Sequence, residues 1–219
     1  MNSNGYYRPQ VDIPPVVKNL LIVNVLVFLT QMLLPRELKN SFYEMFALSF
    51  PLRLGSIVQV VSYMFMHANF THLFCNMFAL WMFGRVIEYD LGSKRFLTYY
   101  RVCGVGAALI QLCVNYAEVA VMLSEGVRMI PRFTTVGASG AVFGLLLAYG
   151  MLHPNNTIML LFPPIALRAK WFVVLYGVLE LLGGVASTGS NVAHFAHLGG
   201  MIFGFLLLRY WKRRNQIWY

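Results

Sequence analysis

Gly137-Ala138-Ser139-Gly140 opens one apolar stretch of the chain, and Ala196-His197-Leu198-Gly199-Gly200-Met201-Ile202-Phe203-Gly204 lies inside another. In the first stretch Gly140, Gly144 and Ala148 recur every fourth residue, and in the second Ala196, Gly200 and Gly204 do the same. Small residues at that spacing lie on one face of a helix, and between membrane helices such faces let two backbones approach closely. Ser139 and His197 each sit one position off their stripe. If the stripes meet in parallel, a serine hydroxyl comes to an imidazole. Polar groups at bilayer depth are expensive and usually line a functional cavity. The first expectation is therefore peptide-bond hydrolysis inside a membrane.

Composition supports the membrane. Of 219 residues, 58% are hydrophobic and 11% charged, and the mean hydropathy is +0.63, outside the usual range for a soluble domain. No linker, repeat or low-complexity segment divides the chain, and its length suits one bundle of six helices at roughly 20 residues per span. The expected fold is all-α, a six-span bundle over residues 16–211, preceded by a short cytoplasmic segment 1–15 and followed by a basic cytoplasmic tail 212–219. The expected spans are Val16 to Leu34, Phe70 to Tyr89, Phe96 to Tyr116, Val136 to Leu152, Leu167 to Ala186 and Val192 to Trp211. The first residues are polar and proline-bearing, and no small-residue cleavage pattern follows the first apolar run, so no removable signal peptide is read. Cys75, Cys103 and Cys113 are odd in number and lie in apolar spans; they read as small buried hydrophobes rather than a disulfide framework.

The net charge of +9 could point to nucleic acid, but its distribution argues for topology. With the N-terminus inside, the cytoplasmic segments carry 12 of the 17 basic residues, among them Arg85, Lys94, Arg95, Arg168, Lys170 and Arg209, and the outer loops hold Arg36, Lys39, Arg53, Arg128 and Arg132. That excess is what the positive-inside rule expects. Both termini should face the cytoplasm, with a bacterial inner membrane as the expected setting. The connection Pro35 to Asn69 is rich in apolar and aromatic residues, such as Phe42, Tyr43, Phe46, Phe50 and Tyr63, and should lie partly in the membrane interface with short helices of its own. His153-Pro154-Asn155-Asn156 and Phe162-Pro163-Pro164 end the fourth span early, which leaves room for water above a short helix.

A serine hydroxyl is a weak nucleophile until a base takes its proton, so a histidine in hydrogen-bond reach is its minimum partner. Ser139 is the candidate nucleophile and His197 the candidate base. The glycines beside the serine allow a tight turn and leave its N–H open to a substrate oxygen. Donors for that oxygen are found in the second span, in the run His67-Ala68-Asn69-Phe70-Thr71-His72-Leu73-Phe74-Cys75-Asn76, where His72 and Asn76 are four apart and share a helix face. His194, three residues before His197, lies nearer the surface and farther from the small-residue stripe. It reads as a water-facing or loop-contacting residue.

These patterns, His67…His72…Asn76, Gly137-Ala138-Ser139-Gly140 and Ala196-His197-Leu198-Gly199-Gly200 with Gly204, resemble the rhomboid intramembrane serine proteases. The resemblance runs from about Val16 to Trp211. It implies a Ser139–His197 dyad without an acidic third member, and an oxyanion hole of His72, Asn76 and the Ser139 N–H. It also implies a structural His67 that ties down the first outer loop, and Glu88 as an anchor of helix ends. No cofactor is implied. The substrates would be transmembrane segments of other membrane proteins, cleaved at small residues, with no nucleic-acid partner and an open oligomeric state. Which element admits the substrate is also open, and the fifth span, with Trp171 and Phe172 facing outward, is one candidate. One residue departs from the pattern: Phe143 stands where a compared family member has a tyrosine, so stacking on His197 is kept and a hydroxyl is lost.

Other classes fit less well. Four histidines in two spans could bind metal, but there is no His-Glu-x-x-His, and no acidic residue is expected beside the pairs to act as a base. An aspartic protease needs two carboxylates sharing a proton, and the only aspartates, Asp12 and Asp90, lie at span ends. A transporter would show repeats and paired broken helices. A catalytically inactive rhomboid-like protein that binds transmembrane helices is the main alternative; its mark would be loss of the serine or the histidine, and both are present. Glu180, the one carboxylate well inside a span, is expected to bond to a neighbouring helix.

Overall fold

The computed structural model describes residues 12–52, 56–159, 164–186, 193–215 and 217. The readings that rest on residues 1–11, Arg53, Phe162-Pro163, Val192, Gln216 and the last two residues lie outside the described residues.

Helices dominate, in the order α1 Pro15–Leu33, α2 Arg36–Phe46, α3 Ser56–Phe65, α4 Phe70–Leu91, α5 Ser93–Ser124, α6 Ser139–Leu152, α7 Ala169–Ala186 and α8 His194–Arg213. A π-helical turn, Leu80–Gly84, lies within α4. Two antiparallel pairs of three-residue strands stand in the connections: β1 Leu48–Phe50 with β2 Phe133–Thr135, and β3 Thr157–Met159 with β4 Ala166–Arg168. Each expected span has a helix in its place. Among the described residues, only α1, α4, α5 and α7 are both long and apolar enough to cross a membrane. α6 has 14 residues, because the backbone of Gly137 at φ +127° breaks the helix before it and His153-Pro154 stops it. α8 closes on Arg209, Lys212 and Arg213. α5 is longer than expected and continues past Tyr116 to Ser124.

Glu88 fastens the start of the bundle. α1 begins with Pro15 at its first position and has no side-chain cap of its own, so its first N–H groups need outside acceptors. The Glu88 carboxylate accepts from Val16 N at 3.0 Å and Val17 N at 2.8 Å, and from Ser93 Oγ at 2.7 Å. A carboxylate at a helix N-terminus is also favoured by the helix dipole. The anchoring implied by the resemblance takes this form: one side chain joins the starts of α1 and α5 to the end of α4.

The small-residue stripes bring α8 against two neighbours. α8 packs most extensively on α5 and α6. A Cβ added to Gly200 would lie 1.8 Å from the Gly140 carbonyl oxygen, and one added to Gly144 would lie 3.2 Å from the Gly200 oxygen. α6 and α8 therefore run parallel with backbones in contact, as the stripes imply. Gly204 departs from that reading: its Cβ would meet the Tyr99 hydroxyl at 2.4 Å and Cys103 Sγ at 3.1 Å, both on α5. The space it leaves admits Tyr99, whose hydroxyl donates to the Gly144 carbonyl at 2.8 Å and ties α5 to α6. Gly200→Ala is expected to lower stability by about 1–3 kcal/mol, the usual cost of overpacking, and to slow any Ser139-dependent reaction, since misplacement of about 1 Å can cost about a hundredfold. Gly177→Ala is its control. There the nearest atom would be the flexible end of Met201 at 3.4 Å, and the helix should gain about 0.4–1 kcal/mol. Melting of the detergent-solubilised variants distinguishes them, and equal midpoints would refute the close contact.

The connection between α1 and α4 folds on itself through α2, β1 and α3. Gln59 joins its parts by accepting from Ser49 N at 3.2 Å and donating to the Glu44 carbonyl at 2.7 Å, while Ser62 Oγ donates to the Phe46 carbonyl at 2.7 Å. Tyr63 is buried and donates to the Gly104 carbonyl of α5 at 2.7 Å. Two expectations about burial are corrected. Cys103 is buried, but Cys75 and Cys113 are exposed, and none forms a disulfide. Trp171 is exposed as expected, whereas Phe172 turns inward against Phe83 and Tyr176. An apolar residue suits the outside of a membrane helix as well as the inside, so composition does not separate the two.

Candidate active site

The turn before α6 sets Ser139. β2 is held by β1, with Thr135 opposite Leu48, and Gly137 then donates its N–H to the Tyr63 carbonyl at 2.9 Å. At φ +127° this position favours glycine. Ser139 is the first residue of α6, and its Oγ lies 2.8 Å from His197 Nε2 in the first turn of α8. The Phe143 ring stacks on the imidazole, with centroids 4.3 Å apart and planes 5° from parallel. Ser139 and His197 thus meet through the parallel contact of α6 and α8, and Phe143 fixes the ring plane without a hydroxyl.

His72 and Asn76 face the same turn from α4. Asn69 caps that helix by accepting from His72 N at 2.8 Å. A Cβ on Gly137 would sit 2.7 Å from His72 Nε2 and 3.7 Å from Asn76 Nδ2, so both nitrogens converge beside the chain leading into Ser139. Asn76 Nδ2 is buried without a hydrogen-bond partner. A buried donor left unpaired costs about 1–3 kcal/mol, a cost that an incoming acceptor removes. The backbone N–H of Ser139 belongs to the first turn of α6, whose N–H groups have no acceptor within the helix.

His67 does tie the connection between α1 and α4 to the bundle, but through its backbone. Its N–H donates to Gln31 Oε1 at 3.1 Å, and its carbonyl accepts from Gln31 Nε2 at 3.2 Å and from the Tyr43 hydroxyl at 3.4 Å. The ring is fully buried, packs edge-on to His72 with centroids 5.1 Å apart, and has no well-formed hydrogen bond. Burial, with His72 nearby, lowers its pKa to about 4, so the ring is neutral at physiological pH.

Glu180 is where the structure adds most. Its Oε2 lies 2.7 Å from His194 Nδ1 and 2.9 Å from His197 Nδ1. The expected bond to a neighbouring helix is therefore present, and it reaches the histidine pair. His194 is bound to Glu180 on the inner side of α8, which corrects the water-facing reading, and the view that no acidic group stands beside the pair is corrected with it. Sequence separation hid the contact, since fourteen residues divide Glu180 from His194; the signal for it was a lone carboxylate deep in an apolar span. The two contacts differ in quality. The one to His194 has hydrogen-bond geometry, whereas the oxygen near His197 lies off the direction of the Nδ1–H bond. Glu180, His194 and His197 also offer three potential metal-ligand atoms within 4.8 Å of one another.

A cleft of about 1060 Å³ opens over Ser139, His197, His72 and Asn76. Gln111 and Asn115 line it from α5, with Gln111 Nε2 donating to Asn115 Oδ1 at 2.8 Å. Neither was singled out by sequence. The polar lining gives water a place beside the serine, and a nucleophile, a base and converging donors together suit acyl transfer.

Known proteins are similar to the chain over most of its length. The family model described as the Rhomboid domain matches residues 54–214. Rhomboid protein 1, mitochondrial, from Saccharomyces cerevisiae is 32% identical over 151 residues, covering 69% of this chain and 41% of the relative. RHOMBOID-like protein 5 from Arabidopsis thaliana is 32% identical, covering 70% and 45%. Rhomboid protease AarA from Providencia stuartii is 30% identical, covering 66% and 52%. The chain thus spans about half the length of these relatives or less. Mitochondrial and chloroplast names stand beside a bacterial one, so the family goes with a multi-pass membrane protein and not with one compartment. By the match of the Rhomboid domain over most of its length, the chain belongs to the rhomboid family.

Proposed function

We propose that the protein is an intramembrane serine endopeptidase that cleaves peptide bonds in or beside the transmembrane segments of other membrane proteins. The observation that carries this reading is the 2.8 Å approach of Ser139 Oγ to His197 Nε2 within a polar cleft. His197 takes the hydroxyl proton as Oγ attacks the scissile carbonyl carbon. Negative charge then gathers on the carbonyl oxygen, where His72, Asn76 and the Ser139 N–H donate to it. The imidazolium returns its proton to the leaving amine, and the C–N bond breaks. Water next attacks the acyl-enzyme, giving a proton to His197; the C–Oγ bond then breaks, and the imidazolium returns that proton to Ser139 Oγ, which frees the carboxyl product and restores the enzyme. No cofactor takes part.

The protease unit spans residues 16–211 as six membrane helices with both termini cytoplasmic. α6 crosses only part of the bilayer, which gives water access to Ser139 from the outer side. A substrate helix must unwind to reach the serine, and small residues at the cleaved bond are what the family resemblance implies. A fluorophosphonate probe tests the reading directly. The parent protein in detergent should be labelled at Ser139, and Ser139→Ala should lose labelling and cleavage with an unchanged melting midpoint. Label on another serine, or label that persists in the variant, would sink the assignment and favour an inactive helix-binding protein.

A further inference from the structure

We infer that Glu180 is a positioning residue for the general base, so that this chain works through Ser139, His197 and Glu180 rather than through a serine–histidine pair alone; the inference rests on the protease reading above. Glu180 lies inside α7 with its side chain 14% exposed, where a carboxylate is costly unless partners hold it. Its Oε2 stands 2.9 Å from Nδ1 of His197, while Nε2 of the same ring faces Ser139 Oγ at 2.8 Å. A neutral imidazole carries one proton. A carboxylate beside Nδ1 keeps that proton there and leaves the Nε2 lone pair free to accept from the serine. When Nε2 takes the proton the ring becomes a cation, and the adjacent carboxylate offsets its charge. Glu180 stays ionised throughout, as the acid of a serine protease triad does.

The surroundings hold the carboxylate in place. His194 Nδ1 bonds the same Oε2 at 2.7 Å, and Gly183 of α7 makes room for that ring, since a Cβ there would lie 2.7 Å from His194 Cε1. The off-line geometry at His197 suits a site without substrate, because catalytic hydrogen bonds are often poorly aligned until the complex forms. Among the described residues, the titratable groups facing His197 are Glu180 from α7, His194 on its own helix and His72 from α4. α6 presents Ser139 and Phe143, and α5 presents Ala107 and Ile110 near Gly199.

The test is kcat and KM against pH for the parent, Glu180→Gln and Glu180→Asp, with melting measured on each. Glu180→Gln should lower kcat about a hundredfold, less than the roughly 10⁴-fold seen where a triad acid is aligned, with KM and melting nearly unchanged. The acid limb of its profile should move to lower pH, because without the carboxylate the imidazolium loses its proton more easily. Glu180→Asp keeps the charge one methylene farther away and should fall between the two; it also carries the test if the glutamine variant does not fold. Parent-like kcat and acid limb in Glu180→Gln would overturn the inference, as would losses in both variants that track melting with the acid limb unmoved. Parent activity abolished by a chelator and restored by zinc would overturn it too, and would assign the cluster to a metal. A parent that neither cleaves nor labels at Ser139 defeats the protease reading itself, and this inference with it.

Discussion

Replacing His197 by alanine is expected to lower kcat on a test transmembrane substrate by about 10⁶-fold, the scale seen when a serine protease loses its base. Ser139 Oγ has one basic partner, at 2.8 Å, and without it the hydroxyl keeps its proton. His194→Ala should retain activity within about tenfold, because Glu180 still faces His197 and no reacting atom contacts His194. Neither change should unfold the protein, since the α6–α8 contact runs through Gly140 and Gly200. Single-turnover cleavage by the two purified variants decides between them. An active His197→Ala with an inactive His194→Ala would mean that α8 presents the other histidine to the serine.

How far the site could be read from sequence depended on what kind of contact each residue makes. Ser139, His197, His72 and Asn76 belong to short local patterns in which the helix repeat alone puts polar groups and glycines on set faces. The Gly140–Gly200 approach was legible for the same reason, because two stripes of equal spacing have one obvious way to pack. Gly204 continues the stripe in sequence yet contacts Tyr99 and Cys103 of α5. A helix lying between two others turns different positions of one stripe toward different neighbours, and the spacing does not say which. Glu180 was visible as an anomaly, but its partners are set by where α7 lies against α8, which no local pattern encodes. Cys75 and Cys113 were misplaced because lipid accepts apolar side chains as readily as a core does. The two strand pairs escaped notice for a simpler reason: three residues are too few to show an alternating pattern. The six-span count is a reading of pattern and charge, since among the described residues four helices meet the length and hydropathy of a full span.

The oxyanion donors give the second large effect. Asn76→Ala removes a buried Nδ2 that has no partner in the free protein, and His72→Ala removes the ring nitrogen that stands beside Gly137. Loss of one such donor typically costs about 10²- to 10³-fold in kcat. A site open to a cleft of about 1060 Å³ should lose toward the lower end, because water can replace a missing donor. The double variant should be far slower, about 10³- to 10⁴-fold below the parent, since the Ser139 N–H then acts with water alone. KM should change little, because these donors act on a charge that the bound substrate does not yet carry. The free protein should behave differently from the enzyme in turnover. Asn76→Ala deletes an unsatisfied donor and should not lower the melting midpoint, whereas a structural asparagine would lower it when removed. Parent-like turnover in both single variants and the double variant would show that α4 does not hold the oxyanion. A fall in melting that tracks the fall in rate would assign Asn76 to packing instead.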